Sequence, residues 1–465
     1  MASVFLLFLT ASLSSLSSLS ALDQFLGVSY GTLGDNLPTP DHGIKLIQSV
    51  SGGAVRIYDA NASILAAASR TNLRIAFQVP NELITSIAYN QSAADSWVAT
   101  NILPIRKSRI TYIYVGNEVL SNPTGANSTW EALVPAMKNI YQALQGQNLK
   151  NIPVGTTCAM DLIDTVFPPS AARFHSDKAG SLVIPLLKFL KDTNSYFFID
   201  AYPYFTWSAN HTIVSLDYAL FRAKPRDYYF DYGTKLTYKN LLEQMLDSVV
   251  SAMTKLGYGD LKLVLAETGW PNGGDISEFG ANVYNAAVYN RNLARILAMR
   301  KGTPLRPNVA IPTFVFALFN ENLKGGPGTE RHWGLFYPNE TAIYPIDLMG
   351  RKPTGSYPPI PLPTNNKPYP GLIWCVLKRQ QSWEDKVMIP ELTKICSQGK
   401  NTCSELFGNC KFTHQSIASK LDYAINSLWQ QFRDGGMPCY FDGFAEETTL
   451  NPSVGACLYR SHPIP

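Results

Sequence analysis

The 465-residue chain is poor in charge: Asp, Glu, Lys and Arg make up 16% of it, well below the usual quarter. Its 39 basic residues exceed the 35 acidic ones by only four, too small a surplus for a nucleic-acid surface or a polybasic membrane patch. Its six histidines show no metal-ligand spacing, and neither a phosphate-cradling loop nor a dinucleotide fingerprint is present, so no metal or cofactor is expected. Beyond residue 21 no apolar run is long enough to cross a bilayer. The closing residues from Leu458 onward lack the hydrophobic tail that a lipid-anchor signal requires, so no membrane anchor is expected either. What the chain does have is aromatic rings, 12% of its residues with 24 Tyr and 22 Phe, in a sequence 46% hydrophobic. That is enough for a large core and suits an exported protein that handles polar, ring-shaped ligands.

Length alone allows two or three domains. The short apolar run from Val4 to Leu9, followed by Ser- and Leu-rich residues before the first charge at Asp23, reads as a secretory signal peptide over residues 1–21. Asn61, Asn90, Asn127, Asn210 and Asn339 each begin an N-x-Ser/Thr sequon, as a secreted surface would. Residues 349–371 hold seven prolines, from Pro353 to Pro370, a density that forbids regular helix and favours an extended spacer. Beyond it stand Cys375, Cys396, Cys403, Cys410, Cys439 and Cys457. An even set in a short exported segment (372–460) reads as disulfide staples rather than zinc, for which paired C-x-x-C units are missing. Cys158 stands alone upstream as a buried small hydrophobe.

Between leader and spacer, eight apolar runs of strand length recur at 25–30, 54–58, 73–79, 110–115, 152–156, 196–202, 261–266 and 313–319. Helical periodicity separates most of them. It is clearest over 237–256, where Leu242, Met245, Leu246, Val249, Met253 and Leu256 share one face. Thr237 is the expected cap and Gly257 the expected left-handed stop. Continuous apolar strands alternating with helices predict a parallel sheet, and eight units predict an α/β fold: a (β/α)8 TIM barrel over 22–348, followed by a small disulfide-stapled α+β module. No helix is evident after the eighth strand.

Barrel chemistry sits at the C-terminal ends of strands. The fourth strand ends in Glu118 and the seventh in Glu267, roughly across the barrel from one another. Two facing carboxyls are what glycoside hydrolysis requires. The G-x-S-x-G match at residues 27–31 lacks the His and Asp context of a serine hydrolase.

Eight stretches carry a closer likeness: 27–38 (GVSYGTLGDNLP), 55–58 (VRIY), 79–82 (VPNE), 115–119 (VGNEV), 201–205 (AYPYF), 267–271 (ETGWP), 319–324 (FNENLK) and 333–337 (WGLFY). They resemble, in order, the plant endo-1,3-β-glucanases of glycoside hydrolase family 17. The tail resembles the cysteine-rich glucan-binding module of carbohydrate-binding family 43. The resemblance implies a secreted or cell-wall, retaining endo-hydrolase of 1,3-β-glucans, acting as a monomer without cofactor. Glu118 matches its acid/base, Glu267 its nucleophile, Asn117 the side chain that bonds the sugar 2-OH, and Tyr202 a group orienting Glu267. Glu321 and Lys324 match cleft-lining groups or a structural ion pair, and the carboxyls would stand about 5–5.5 Å apart. Tyr30, Tyr58, Tyr204, Phe205, Phe319, Trp333 and Phe336, at strand ends, are candidate sugar-stacking rings, about half of which should touch substrate. The implied pairing is Cys375–Cys439, Cys396–Cys403 and Cys410–Cys457. Gln78, Asp200 and His332 depart from the family pattern. A glucan transglycosylase, or a wall-binding protein with little turnover, is the alternative function.

Overall fold

Eight parallel strands close on themselves in chain order in the computed structural model, which describes residues 25–121, 126–379, 382–406, 416–455 and 457–463. The expected leader and Cys410 lie outside those residues. The strands are β1 (Leu26–Tyr30), β2 (Ala54–Ile57), β3 (Arg74–Val79), β4 (Arg109–Asn117), β5 (Val154–Ala159), β6 (Phe197–Asp200), β7 (Leu263–Thr268) and β8 (Thr313–Phe316). β1 pairs with both β2 and β8, so the barrel has no open edge. All eight fall within a few residues of their expected bounds, because strands buried on both faces read as unbroken apolar runs. Helices follow the first seven strands. Between β8 and the Pro-rich stretch, the only helical turn among the described residues is the 3-10 turn Gly328–Arg331.

Side chains along each strand alternate between the barrel interior and the helix layer. The interior is ring-rich and small: Phe25, Tyr112, Tyr114, Phe198 and Phe314 interlock with Ala54, Ala76 and Ala266. Gly27 belongs to this inner layer, where a Cβ would come within 2.8 Å of both the Phe314 ring and Ala54. Ser29 beside it is fully buried, so packing accounts for the G-x-S-x-G pattern and no exposed nucleophile stands there.

The helix Leu241–Lys255 departs from the periodicity at its start. Its cap is Asn240, whose Oδ1 accepts the Glu243 N–H at 2.9 Å, while Thr237 lies exposed in a hairpin strand, Leu236–Tyr238. The stop is Gly257 at φ +85°. Replacing Asn240 by Ala is expected to cost about 1 kcal/mol in reversible thermal unfolding, and replacing Thr237 much less.

The Pro-rich stretch is fastened to the barrel. Asn282 Nδ2 donates to Asn365 Oδ1 (2.8 Å) and Asn285 Nδ2 to Asn366 Oδ1 (2.7 Å). Beyond it, β9 (Trp374–Leu377) and β10 (Ala445–Thr448) pair antiparallel beside the helices Asp385–Cys396 and Ile417–Phe432, a small α+β unit with its own core around Leu421, Leu428 and Trp429. Cys375–Cys439 and Cys396–Cys403 are bonded. Cys158 is buried in the barrel.

Candidate active site

A cleft of about 570 Å³ opens over the C-terminal ends of the strands and takes in Glu118, Glu267, Asn117, Tyr58, Tyr202, Phe205, Glu321, Lys324 and Trp333. Both Glu residues reach it through a break in strand register. On β7 the pairing shifts just after Leu265. Ala266 faces the interior, Glu267 enters the cleft, and Thr268 points outward to hydrogen-bond Tyr289 at 2.6 Å. On β4 the pairing with β5 shifts between Tyr114 and Asn117, where Gly116 takes φ +74° and Glu118 φ +48°. Such irregularities re-aim a side chain that strict alternation would turn away.

The two carboxyls have unlike surroundings. Glu267, buried, accepts hydrogen bonds from Tyr58 Oη at 2.6 Å and Tyr202 Oη at 2.5 Å, and forms an ion pair with Arg56 Nη1 at 2.8 Å. Among the described residues no donor is bonded to the Glu118 carboxyl. Burial, then the nearby Glu267 charge, push its pKa up to about 7, with Arg56 opposing. Glu267 is surrounded by donors and a buried cation, whereas Glu118 is prepared to keep a proton at neutral pH.

Arg56 organises the floor. Its side chain has no exposed surface and lies between the Tyr58 and Tyr114 rings, 4.7 and 5.0 Å from their centroids. It donates to Ala266 O (2.7 Å) and to Asn117 Oδ1 (2.5 Å), and stands 3.6 Å from the Asp200 carboxylate. Thr157 Oγ1 also donates to Asn117 Oδ1, at 3.0 Å. Two donors on the amide oxygen fix the Asn117 side chain, and among the described residues its Nδ2 meets no acceptor, which leaves it for a ligand hydroxyl. Asp200 is fully enclosed, and burial, then the Glu267 charge, raise its pKa well above the ordinary carboxyl range.

Four of the candidate rings lie elsewhere. Tyr30, Tyr204, Phe319 and Phe336 are buried between barrel and helices. Tyr30 packs where a Cβ on Gly43 would strike its hydroxyl, and Tyr204 is wedged against Trp270 and Trp333. Glu321 and Lys324 do not pair with each other. Glu321 accepts the Leu33 N–H at 2.8 Å, and Lys324 pairs with Glu330 at 3.4 Å while its ammonium sits 4.2 Å from the Phe316 ring centroid. His332 stays out of the cleft, with Nδ1 2.7 Å from Gly328 O. Arg56, Thr157, Phe316 and Glu330 were not singled out from the sequence. The signal for Arg56 was there, a charge inside an apolar strand run, where burial demands a partner.

Residues 26–348 match the model of glycosyl hydrolases family 17, and residues 373–446 match the X8 domain. The probable glucan endo-1,3-beta-glucosidase A6 of Arabidopsis thaliana is 46% identical over 440 residues, 94% of this chain and 91% of that protein. Glucan endo-1,3-beta-glucosidase 13 of the same plant is 35% identical over 439 residues, 93% of this chain and 85% of its own. Among solved structures, CJP38, a beta-1,3-glucanase and allergen of Cryptomeria japonica pollen, is 40% identical with a TM-score of 0.66, covering 70% of this chain and 99% of that one. A strand-end carboxyl pair in a barrel of this ancestry has one reading: the chain belongs to glycosyl hydrolases family 17 and is a glycoside hydrolase whose barrel is followed by an X8 domain.

Proposed function

We propose that the protein is a secreted, retaining endo-hydrolase of 1,3-β-D-glucosidic linkages, in which Glu118 is the acid/base and Glu267 the nucleophile. The observation that carries the reading is the unlike setting of the two carboxyls, two tyrosine donors and the Arg56 cation on Glu267 and a raised pKa of about 7 on Glu118. In the first step the Glu267 carboxylate attacks the anomeric carbon as the bond to the leaving O3 breaks, and the Glu118 proton goes to that oxygen. The product is a glycosyl ester of Glu267. Esterification removes the negative charge that helps hold Glu118 protonated, so Glu118 becomes the base that takes a proton from water in the second step. Tyr58 and Tyr202 keep the Glu267 oxygens aligned for attack, and the free Nδ2 of Asn117 is offered to the sugar 2-OH, a contact that tightens in the transition state. Phe205, exposed on the rim, and Trp333 and Phe316 beneath it supply faces for pyranose rings.

The experiment is digestion of laminarin-type, mixed-linkage and cellulose substrates with proton NMR of the first product. Release of β-configured reducing ends from 1,3-linked glucan supports the proposal. Initial α-product, or turnover confined to cellulose, refutes it. Longer products accumulating at high acceptor concentration would mark transfer rather than hydrolysis.

A further inference from the structure

We propose that the X8 module is the outer support of the catalytic cleft, with Tyr440 as a positioning residue that acts through Arg331 on the Lys324–Glu330 wall. The segment after β8 carries Glu321, Lys324 and Glu330 into the cleft, yet the described residues give it no helix beyond the turn Gly328–Arg331. It is held from behind. Arg331 Nη1 donates to Lys324 O (2.9 Å) and Gly326 O (3.2 Å), clasping the backbone that bears the cleft lysine. The Cζ of that guanidinium lies 4.5 Å from the centroid of the ring of Tyr440, a module residue next to the Cys375–Cys439 cross-link. A charge over a ring face resists lateral movement and is strengthened by exclusion of water.

The same wall is joined to the module by a second route. Asp275 and Glu278, in the segment after β7, accept the Gly328 and Thr329 N–H groups, both at 2.8 Å. Between them in sequence, Ser277 gives its N–H (2.8 Å) and its hydroxyl (2.6 Å) to the Glu447 carboxylate of β10, and Ile276 packs on the module core. The module thus grips the cleft-lining segment after β8 and the segment after β7 that braces it, a role distinct from holding polymer on a surface of its own. Tethering would matter only for substrates long enough to reach the module. Support of the wall must also matter for short ones.

The inference rests on the proposed hydrolase activity for its kinetic assay alone. On a short soluble 1,3-β-glucan oligosaccharide, full-length Tyr440→Ala is expected to raise KM about fivefold with kcat within about twofold, and Tyr440→Phe, which keeps the ring face, to restore KM. Arg331→Gln breaks the link from the barrel side, and the double variant should be no worse than either single one. Hydrogen exchange over residues 321–331, read without substrate, should quicken in Tyr440→Ala and Arg331→Gln and return to normal in Tyr440→Phe. Normal exchange and normal KM in Arg331→Gln, additive effects in the double variant, or a Phe variant as impaired as the Ala one would each overturn the proposal. A wild-type protein inert on 1,3-glucan would refute the functional reading and leave the exchange experiment to decide this one.

Discussion

Glu267→Gln in the full chain is expected to lower kcat on 1,3-β-glucan by at least about a thousandfold while leaving KM almost unchanged. The amide keeps the size of the carboxyl and can still meet one tyrosine and Arg56, so the cleft and its ring faces persist and polymer should still bind. What is lost is the carboxylate that, in the proposed mechanism, attacks the anomeric carbon. Glu118→Gln should behave differently. On polymer its kcat should fall by about 10²–10⁴, the range for removing a general acid. On an aryl glucoside whose leaving group needs no proton, formation of the ester should survive and azide should release it as a β-glycosyl azide. The pH profile separates the two groups further. Glu118 must carry a proton to act as acid, so wild-type activity should decline as pH rises through about 7, and this alkaline limb should be missing from Glu118→Gln. A limb that persists unchanged in the variant would assign the proton to another group.

The barrel was legible in the sequence and the orientation of its side chains was not, for one physical reason. A strand buried on both faces is apolar at every position, so hydrophobicity marks its extent but says nothing about which residues point inward. Tyr30 and Tyr58 both end apolar runs and both look like sugar platforms. Yet Tyr30 packs beneath a helix, where Gly43 makes room for it, and Tyr58 reaches the Glu267 carboxylate. The register shifts on β4 and β7 are equally invisible, although Gly116 hints at the first. Strand-end position and chemistry are enough to select the two Glu residues that line the cleft; their unlike environments come from neighbours far away in the chain. The misplaced cap on Leu241–Lys255 has another cause. A hairpin (Tyr229–Asp231 with Leu236–Tyr238) runs into the helix, so the apolar run starts before the first helical turn.

Arg56→Met is expected to destabilise the protein by about 3–5 kcal/mol, the usual consequence of removing one member of a buried charge cluster. Methionine fills much of the guanidinium stem's volume, so the loss is mainly electrostatic. Glu267 would be left with its two tyrosine donors, Asp200 with no cation, and Asn117 with Thr157 alone on its amide oxygen. The pH dependence follows from the sign of the shifts. Burial, then Glu267, raise the Asp200 pKa, and Arg56 opposes them, so removing Arg56 raises it further. A carboxyl whose folded pKa lies above its unfolded value contributes stability at low pH that is lost as pH rises towards the folded pKa. The deficit of Arg56→Met should therefore be larger at pH 8 than at pH 5, and Asp200→Asn in the same chain should recover part of it by leaving one carboxyl fewer to ionise. Glu118 should respond in parallel. Arg56 also opposes its upward shift, so whatever activity survives in Arg56→Met should keep its alkaline limb at higher pH than the wild type. Thermal unfolding from pH 5 to 8, with residual activity over the same range, measures both effects. A variant that melts with the wild type at every pH would show that the carboxyl cluster stands without its buried cation.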